Sequence, residues 1–570
     1  MRPCGAGRRT AGLRGGGIKY LKSKQSIASS TRDGSSAALV WGLSPREAAI
    51  LAAIVLATVA IYLPSLRNGW VWDDWPQIAD NKLIHSWSFV WRSFIHDAWW
   101  FLDPRGPPQS AYYRPLQNVW FAANALVFGT HPALWHLAKI LLHGVAVVLC
   151  FRVTQLLTGD VAVGLLTAAI FGLLPANVES VVWASGISKP LATIFEMGAL
   201  CCFINREPGW SRGLAFALML YAGATLSHET AILFPLIVAA YVFLFEGGDE
   251  GSGAQAQAAR TGPRTISALR AATPFVLVAI AYMCARVNAL GVGTLFGLHQ
   301  QATGMISRGF VEAPPDYSQS QILMTLPVVL IAYLGVLAIP SMAAPTHAVQ
   351  WIMRPEPILF ISAAALVILG AAAFVLAWRS SNRRIYLFCA AWSFLTMAPS
   401  LNLKYLFYLI ADRYLYAPSI GWSLAVAITA SSIAAAGPRA RKAVGATMAM
   451  LLVLYAASAV QIEHYWHDDV TFFQRCVEIV PHAPIYRLEL VGVMDKARDF
   501  EGAARVLERG TTLDPNDAYL HLRLAQEYQK MGRQLDFERE FRKFTELSAG
   551  TIQRQRAAES SGASQPPGAP

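Results

Sequence analysis

Apolar runs of about 18 residues or more, each long enough to cross a bilayer, recur along this chain between residues 47 and 462. The first is Glu47–Leu63, closed by Pro64. Further runs lie near 133–155, 160–176, 186–204, 212–227, 229–245, 268–290, 356–378, 384–400, 414–435 and 443–462. One more run, 322–339, fits poorly. Counted as a full crossing it would put Arg379, Arg383 and Arg384 on the exterior face, against the preference of basic loops for the cytoplasm. It is therefore expected to lie in, or dip into, the outer leaflet. About eleven crossings then keep Arg152, Arg206, Arg212, Arg260, Arg264, Arg270, Arg439, Arg441 and Lys442 inside, and carry the chain from an inside N-terminus to an outside tail.

From Tyr465 onward charge rises and apolar residues take helical spacing. Pro481 and Pro515 are 34 residues apart, the period of tetratricopeptide repeats. Ala503, Leu507 and Pro515 fall at the small, large and Pro positions of one repeat, and Ala525, Tyr528 and Gly532 open the next. Phe537 stands at a usually small position of that second repeat, which loosens its helix pair. Two repeats are short of the three or so that a solenoid needs, so the tail is expected to lean on helix 465–480 or on the membrane domain. The chain divides into a disordered basic segment 1–45, a membrane domain 46–463 with a first exterior loop 67–132, an exterior repeat domain 464–549, and a disordered end 550–570. The fold class is all-α.

Composition agrees: 54% hydrophobic, 15% charged, mean hydropathy +0.38. The net charge of +11 would suggest nucleic acid were it spread over a folded surface. Much of it sits instead in residues 1–33, at Arg2, Arg8, Arg9, Arg14, Lys19, Lys22, Lys24 and Arg32, so no nucleic-acid partner is expected. The apolar run starts late and no small-residue cleavage site follows it, which argues against a signal peptide. Of seven cysteines (Cys4, Cys150, Cys201, Cys202, Cys284, Cys389, Cys476) most lie in spans, and no exterior pair has disulfide or zinc spacing. His464 and His467 with Asp468 and Asp469 read as the polar start of the tail helix rather than a metal site. The Gly-rich stretches 12–17 and 247–253 lack the strand and Lys of a phosphate loop and read as linkers.

The chemistry concentrates in loop 67–132. It carries Trp70, Trp72, Trp75, Trp87, Trp91, Trp99, Trp100 and Trp120, a density suited to helices in the interface plane over 85–100 and 115–128. It opens with Val71-Trp72-Asp73-Asp74, continues through Ile78-Ala79-Asp80-Asn81 and His85, and reaches Tyr113-Arg114-Pro115-Leu116. Later come Pro175-Ala176-Asn177-Val178-Glu179 with Trp183 and Gly186, then Ser227-His228-Glu229-Thr230, then Arg413-Tyr414-Leu415-Tyr416-Ala417-Pro418-Ser419-Ile420-Gly421. This order resembles the transmembrane-and-tetratricopeptide-repeat (TMTC) family of protein O-mannosyltransferases, over roughly 45–550, and more distantly the GT-C glycosyltransferases. Leu174 replaces the family's His before Pro, Ile187 and Lys189 stand where an Arg and an acid are usual, and His228 replaces a Lys. These departures bear on donor sugar and acceptor more than on reaction class. The resemblance implies a GT-C membrane domain and donor-binding roles for Glu179, Lys189, His228, Glu229 and Tyr416.

From the residues themselves, transfer from a polyprenyl-phosphate sugar needs a base for the acceptor hydroxyl, a holder for the phosphate and lateral access for a lipid. Asp73 is the first choice of base, with Asp74 raising its pKa or binding hydroxyls. Arg413 is the first choice for phosphate, Arg114 the second, Lys189 or Arg286 the third. A single attack inverts the anomeric carbon. The leaving group is a monophosphate, so no metal or other cofactor is expected, although Asp73, Asp74 and Asp80 have the chemistry to gather a metal. The expected partners are the lipid-linked donor, a protein Ser/Thr or glycan acceptor, membrane lipid and a protein on the tail. A bacterial inner membrane is favoured over an endoplasmic reticulum. Two other readings stay open: a transporter or flippase of lipid-linked sugar, and a non-catalytic scaffold whose tail recruits partners.

Overall fold

The computed structural model describes residues 40–246, 264–292, 317–401 and 409–560, which are helical throughout with no β-strand among them. Most of the basic N-terminal segment, the Gly-rich stretch 247–253, Arg260 and residues 561–570 lie outside the described residues. Seven helices among those described are long and apolar enough to cross a membrane: Pro45–Arg67, Pro132–Thr158, Glu229–Glu246, Arg264–Leu290, Gln319–Ala338, Pro357–Arg379 and Pro438–His464. This is a multi-pass membrane protein. Gln319–Ala338 passes the same length and apolarity test as the other six, so its geometry does not set it apart as a helix that only dips into a leaflet.

The remaining expected crossings are shorter helices, Ser188–Ile204, Arg212–Ser227, Arg383–Met397 and Pro418–Ala434, none longer than 17 residues. At 1.5 Å per residue they span roughly 25 Å or less, under the roughly 30 Å of a hydrocarbon core. The run expected over 160–176 is broken. Val161–Leu173 stops at Leu174, because Pro175 cannot donate into the helix, and the chain restarts as Val178–Val182 after a 57° bend. Asn177 donates from its side chain to the Phe171 carbonyl (2.8 Å), satisfying one acceptor that the break exposes.

Local signals set the helix ends. Ser44 and Glu47 form a reciprocal capping box at the first helix. Gly159, at φ 68°, closes Pro132–Thr158, and Asp160 caps the next helix through the N–H groups of Ala162 and Val163. That tight turn packs Val161–Leu173 back onto Pro132–Thr158. Burial then sorts centre from edge. In its most apolar stretch Pro132–Thr158 is 56% buried, whereas Pro357–Arg379 is 6% buried and presents its apolar side chains outward, as a lipid-facing helix does.

Loop 67–132 is a folded unit with its own core, built from Trp70, Ile78, Ile84, Phe89, Trp100, Phe101 and Phe121 around Trp135. Its helices are Trp87–Arg92 and Pro115–Phe128, the second at the expected position and the first shorter than 85–100. Tryptophan density therefore has two physical causes here. Trp70 and Trp100 fill the loop core, while Trp87 and Trp91, one turn apart, remain 81% and 65% exposed.

The tail is a run of helices, Asp469–Ile479, Pro484–Lys496, Phe500–Leu513, Ala518–Lys530 and Gln534–Ser560. Asp468, Asp499 and Asp517 cap three of them. Arg498 (φ 59°) and Gly532 (φ 71°) turn the chain at positions with the same 34-residue separation as Pro481 and Pro515. The last helix runs to Ser560, into a stretch expected to be disordered, where Gln, Arg, Ala and Glu favour helix.

Small residues let the short helices approach. A Cβ on Gly421 would lie 2.6 Å from the Cys389 carbonyl oxygen on the neighbouring helix and 2.3 Å from Ser393 Oγ. Gly421→Ala is expected to cost about 1–3 kcal/mol by overpacking. A lowered unfolding midpoint of the detergent-solubilised protein would show it, and an unchanged midpoint would mean this crossing is not close-packed.

Candidate active site at loop 67–132

Asp74 is 1% exposed and accepts two backbone hydrogen bonds, from Ser185 N at 2.7 Å and from Val71 N at 3.1 Å. The positive charge of Lys139, from inside the Pro132–Thr158 helix, reaches the same carboxylate. Burial pushes the Asp74 carboxyl up to about 6, and its hydrogen bonds with Ser185 and Val71, with Lys139, work against that rise. The next link is Trp183. Its indole donates to Val71 O (3.3 Å), its carbonyl accepts from Lys139 Nζ (2.8 Å), and its ring stacks on Trp72 at 5.7 Å and 16°. Together they pin the loop onto the turn 183–186.

Asp73 differs from its neighbour. It is half-buried, and its carboxylate makes no hydrogen bond with the described residues. Burial first, and the charge of Asp74 next, push it up to about 7, against the pull of Arg413. A carboxylate poised near neutrality and not tied to another group is suited to take a proton.

Beside it lies a set of cations, each held differently. Arg413 sits in the turn Asp412–Leu415. It pairs with the buried Glu179, which also accepts from the Arg413 backbone N–H (2.8 Å), and its guanidinium lies over Tyr414 and Trp183 at 5.0 and 5.4 Å. Burial opposes the Arg413 charge, but Glu179 with Tyr414 and Tyr112 together more than offset it and the guanidinium stays protonated. Arg114 is gripped by Glu229 through two bonds, 2.8 and 2.5 Å, and lies 4.2 Å over the Tyr112 ring. Lys189 donates to Thr230 Oγ1 (3.0 Å) and Ser400 Oγ (3.5 Å) and has no carboxylate at ion-pair distance among the described residues. His228 accepts from Thr230 N at 3.2 Å. Burial and then the charge of Arg114 keep it neutral, with its pKa well below the usual range.

The structure thus brings Asp73, Asp74, Glu179, Lys189, His228, Glu229, Arg114 and Arg413 to one region. Tyr416 is placed elsewhere. It is fully buried, its hydroxyl bonded to His143 Nδ1 (2.8 Å) and its ring packed on His143 and Phe171, so it serves the core and has no open face for a sugar. Arg286 reaches back to the Ala111 carbonyl (3.0 Å) and supports the loop from outside the cluster. Among the described residues no three His, Cys, Asp or Glu side chains gather to hold a metal ion.

Several members escaped the sequence reading. Lys139 carried a usable signal, a lysine inside an apolar span. Tyr112, just before the Tyr113-Arg114 motif, and Tyr414, inside the Arg413–Gly421 motif but given no role there, are the aromatic floor of the cations. Asp412 is buried against His347 Nε2 (2.6 Å) and Ala344 N (2.9 Å), and so fixes the turn that carries Arg413. No local pattern announces that last contact.

No protein-family model matches the chain. Its sequence is similar to curated protein O-mannosyl-transferases. TMTC3 of Mus musculus is 23% identical over 513 residues, covering 85% of this chain and 53% of that protein. TMTC3 of Homo sapiens is 23% identical over 510 residues, covering 86% and 54%. Tmtc2 of Drosophila melanogaster is 32% identical over 190 residues, covering 32% and 20%. The resemblance to the TMTC family is borne out over most of this chain, which spans about half the length of the TMTC3 relatives. Among solved structures, the oligosaccharyltransferase AglB of Archaeoglobus fulgidus, in complex with an inhibitory peptide and a dolichol-phosphate, is 14% identical with a TM-score of 0.40, covering 75% of this chain and 56% of that one.

Asp74→Asn keeps one acceptor but turns an amide toward the other N–H and leaves Lys139 with the charge of Glu179 alone of the two carboxylates that reach it. It is expected to destabilise the protein by about 2–4 kcal/mol. The detergent unfolding midpoint checks this, and a wild-type value would remove Asp74 from its anchoring role.

Proposed function

We propose that this chain is a membrane glycosyltransferase that moves a hexose, mannose first among the candidates, from a polyprenyl phosphate to a hydroxyl acceptor, most simply a protein Ser or Thr. The observation that carries the proposal is Asp73, untied and near neutrality, beside a buried set of cations of which Lys189 has no carboxylate at ion-pair distance among the described residues, the charges of Glu196 and Glu229 reaching it from further off. The TMTC relatives are named protein O-mannosyl-transferases and support the same class.

The reaction divides among these residues. Asp73 takes the proton of the acceptor hydroxyl as its oxygen attacks the anomeric carbon. The bond from that carbon to the phosphate oxygen breaks on the opposite side, so the product is inverted and the polyprenyl phosphate leaves with one more negative charge. Lys189 and the unpaired N–H groups of Arg413 receive that charge. Glu179 and Glu229 hold the two arginines in place, and Arg114 frames the pocket. The donor enters sideways from the bilayer at the exterior face. The tail, as tetratricopeptide repeats on that same face, presents the protein acceptor.

The test is transfer from radiolabelled polyprenyl-phosphate mannose to exterior proteins in membranes carrying wild type, Asp73→Asn or Arg413→Ala at matched expression. Asp73→Asn is expected to lower transfer by about 10²–10⁴-fold, the usual contribution of a positioned base. Arg413→Ala is expected to lower it by about 10²–10³-fold, and EDTA is expected to leave the wild-type rate unchanged. Equal transfer by wild type and Asp73→Asn would remove Asp73 as the base and favour a flippase of lipid-linked sugar.

A further inference from the structure

The segment Asn68–Trp75 is held on two sides, and the two sides belong to different parts of the chain. From the membrane domain, Ser185 N bonds Asp74, Trp183 Nε1 bonds Val71 O, and His136 Nε2 lies 3.3 Å from Gly69 O. From the tail, His467 O accepts from Gly69 N at 2.8 Å and His467 Nδ1 meets Asn68 Oδ1 at 3.3 Å. Asp469 then uses both its oxygens. One accepts from the backbone N–H of Trp72 (2.7 Å) and the other from the indole N–H of Trp75 (2.8 Å). The Trp72 ring closes the joint, with Trp183 on one side and Phe472 and Phe473 of the tail on the other, at 5.7, 5.7 and 6.2 Å.

This grip falls on a costly piece of backbone. Trp72 has φ 56°, a left-handed conformation that a bulky residue adopts only when its surroundings over-determine it. The residue that follows is Asp73. Its preceding neighbour is fixed through Asp469 and its following neighbour through Ser185, so the direction of the Asp73 side chain depends on both domains. The charge of Glu489, on the tail helix Pro484–Lys496, also reaches Asp73.

We propose that Asp469 is a positioning residue for transfer: by bonding Trp72 N and Trp75 Nε1 it holds the left-handed turn that aims Asp73, which makes the first tail helix a structural part of the active site. The inference rests on the reading of Asp73 as the base. It assigns Asp469 no contact with donor or acceptor.

The test uses the full chain, purified in detergent, with polyprenyl-phosphate mannose and a Ser/Thr peptide accepted by the wild type. The variants are Asp469→Ala, Asp469→Asn, Trp75→Phe and Asp73→Asn, with kcat and the donor KM measured separately. Asp469→Ala is expected to lower kcat by about 10–100-fold, the scale of a misplaced catalytic group, with donor KM within about twofold because the phosphate site is untouched. Asp469→Asn, which keeps one acceptor oxygen, should recover part of that loss, and Trp75→Phe, which removes one donor, should lose a few-fold. An inactive Asp73→Asn together with wild-type kcat in Asp469→Ala would overturn the inference while leaving the base in place. Full activity in Asp73→Asn would overturn the reading of the base and the inference with it. Should Asp469→Ala fail to fold, Asp469→Asn and Trp75→Phe decide, and wild-type kcat in both would overturn the proposal.

Discussion

A carboxylate cut off from water has to find its hydrogen bonds and its counter-charge inside the protein, since an unpaired buried charge costs several kcal/mol. Asp74 meets that requirement with the N–H groups of Val71 and Ser185 and with the charge of Lys139, and much of the site follows from how it does so. Val71 belongs to loop 67–132, Ser185 to the turn before a short buried helix, and Lys139 to the most buried of the long spans. Three segments distant in sequence are therefore tied at one point. Trp183 repeats the tie with an indole N–H, a carbonyl and a stacked ring.

With Asp74 committed to that anchor, Asp73 is the acid of the pair left for chemistry. Identical side chains at adjacent positions thus take different roles because one is enclosed by donors and the other is not. The same division runs through the cations. Glu179 and Glu229 neutralise and orient Arg413 and Arg114, so the cluster tolerates burial before any anion arrives, while Lys189 bonds hydroxyls directly and feels the charges of Glu196 and Glu229 from further off. In the proposed reaction the donor phosphate would meet oriented donors, with little side-chain reorganisation left to oppose binding.

Much of this was legible in the chain. Apolar runs located the helices of the membrane domain, and the motif residues Asp73, Asp74, Arg114, Glu179, Lys189, His228, Glu229 and Arg413 were named from sequence and lie together. What sequence could not supply is pairing across hundreds of residues. Nothing near Asp469 points to Trp72, and nothing near Asp412 points to His347, because those contacts depend on how spans pack. Tyr416 shows the opposite failure: it belongs to a motif whose other members reach the site, yet helical geometry turns it into the core against His143. The Trp-rich loop was read as interfacial because hydropathy does not separate a ring packed inside a small unit, such as Trp100, from one exposed on its surface, such as Trp87.

The central claim is that Asp73 works as a base with a carboxyl raised to about 7, and the pH dependence of single-turnover transfer by the purified protein tests it most directly. A base acts only when ionised, so the rate should climb as pH rises through about 7 and level off above it. Asp73→Asn should give a low rate with no such step. A wild-type rate independent of pH between 5.5 and 8.5 (about 1.5 units either side of the raised value), or the same step retained in Asp73→Asn, would contradict the account.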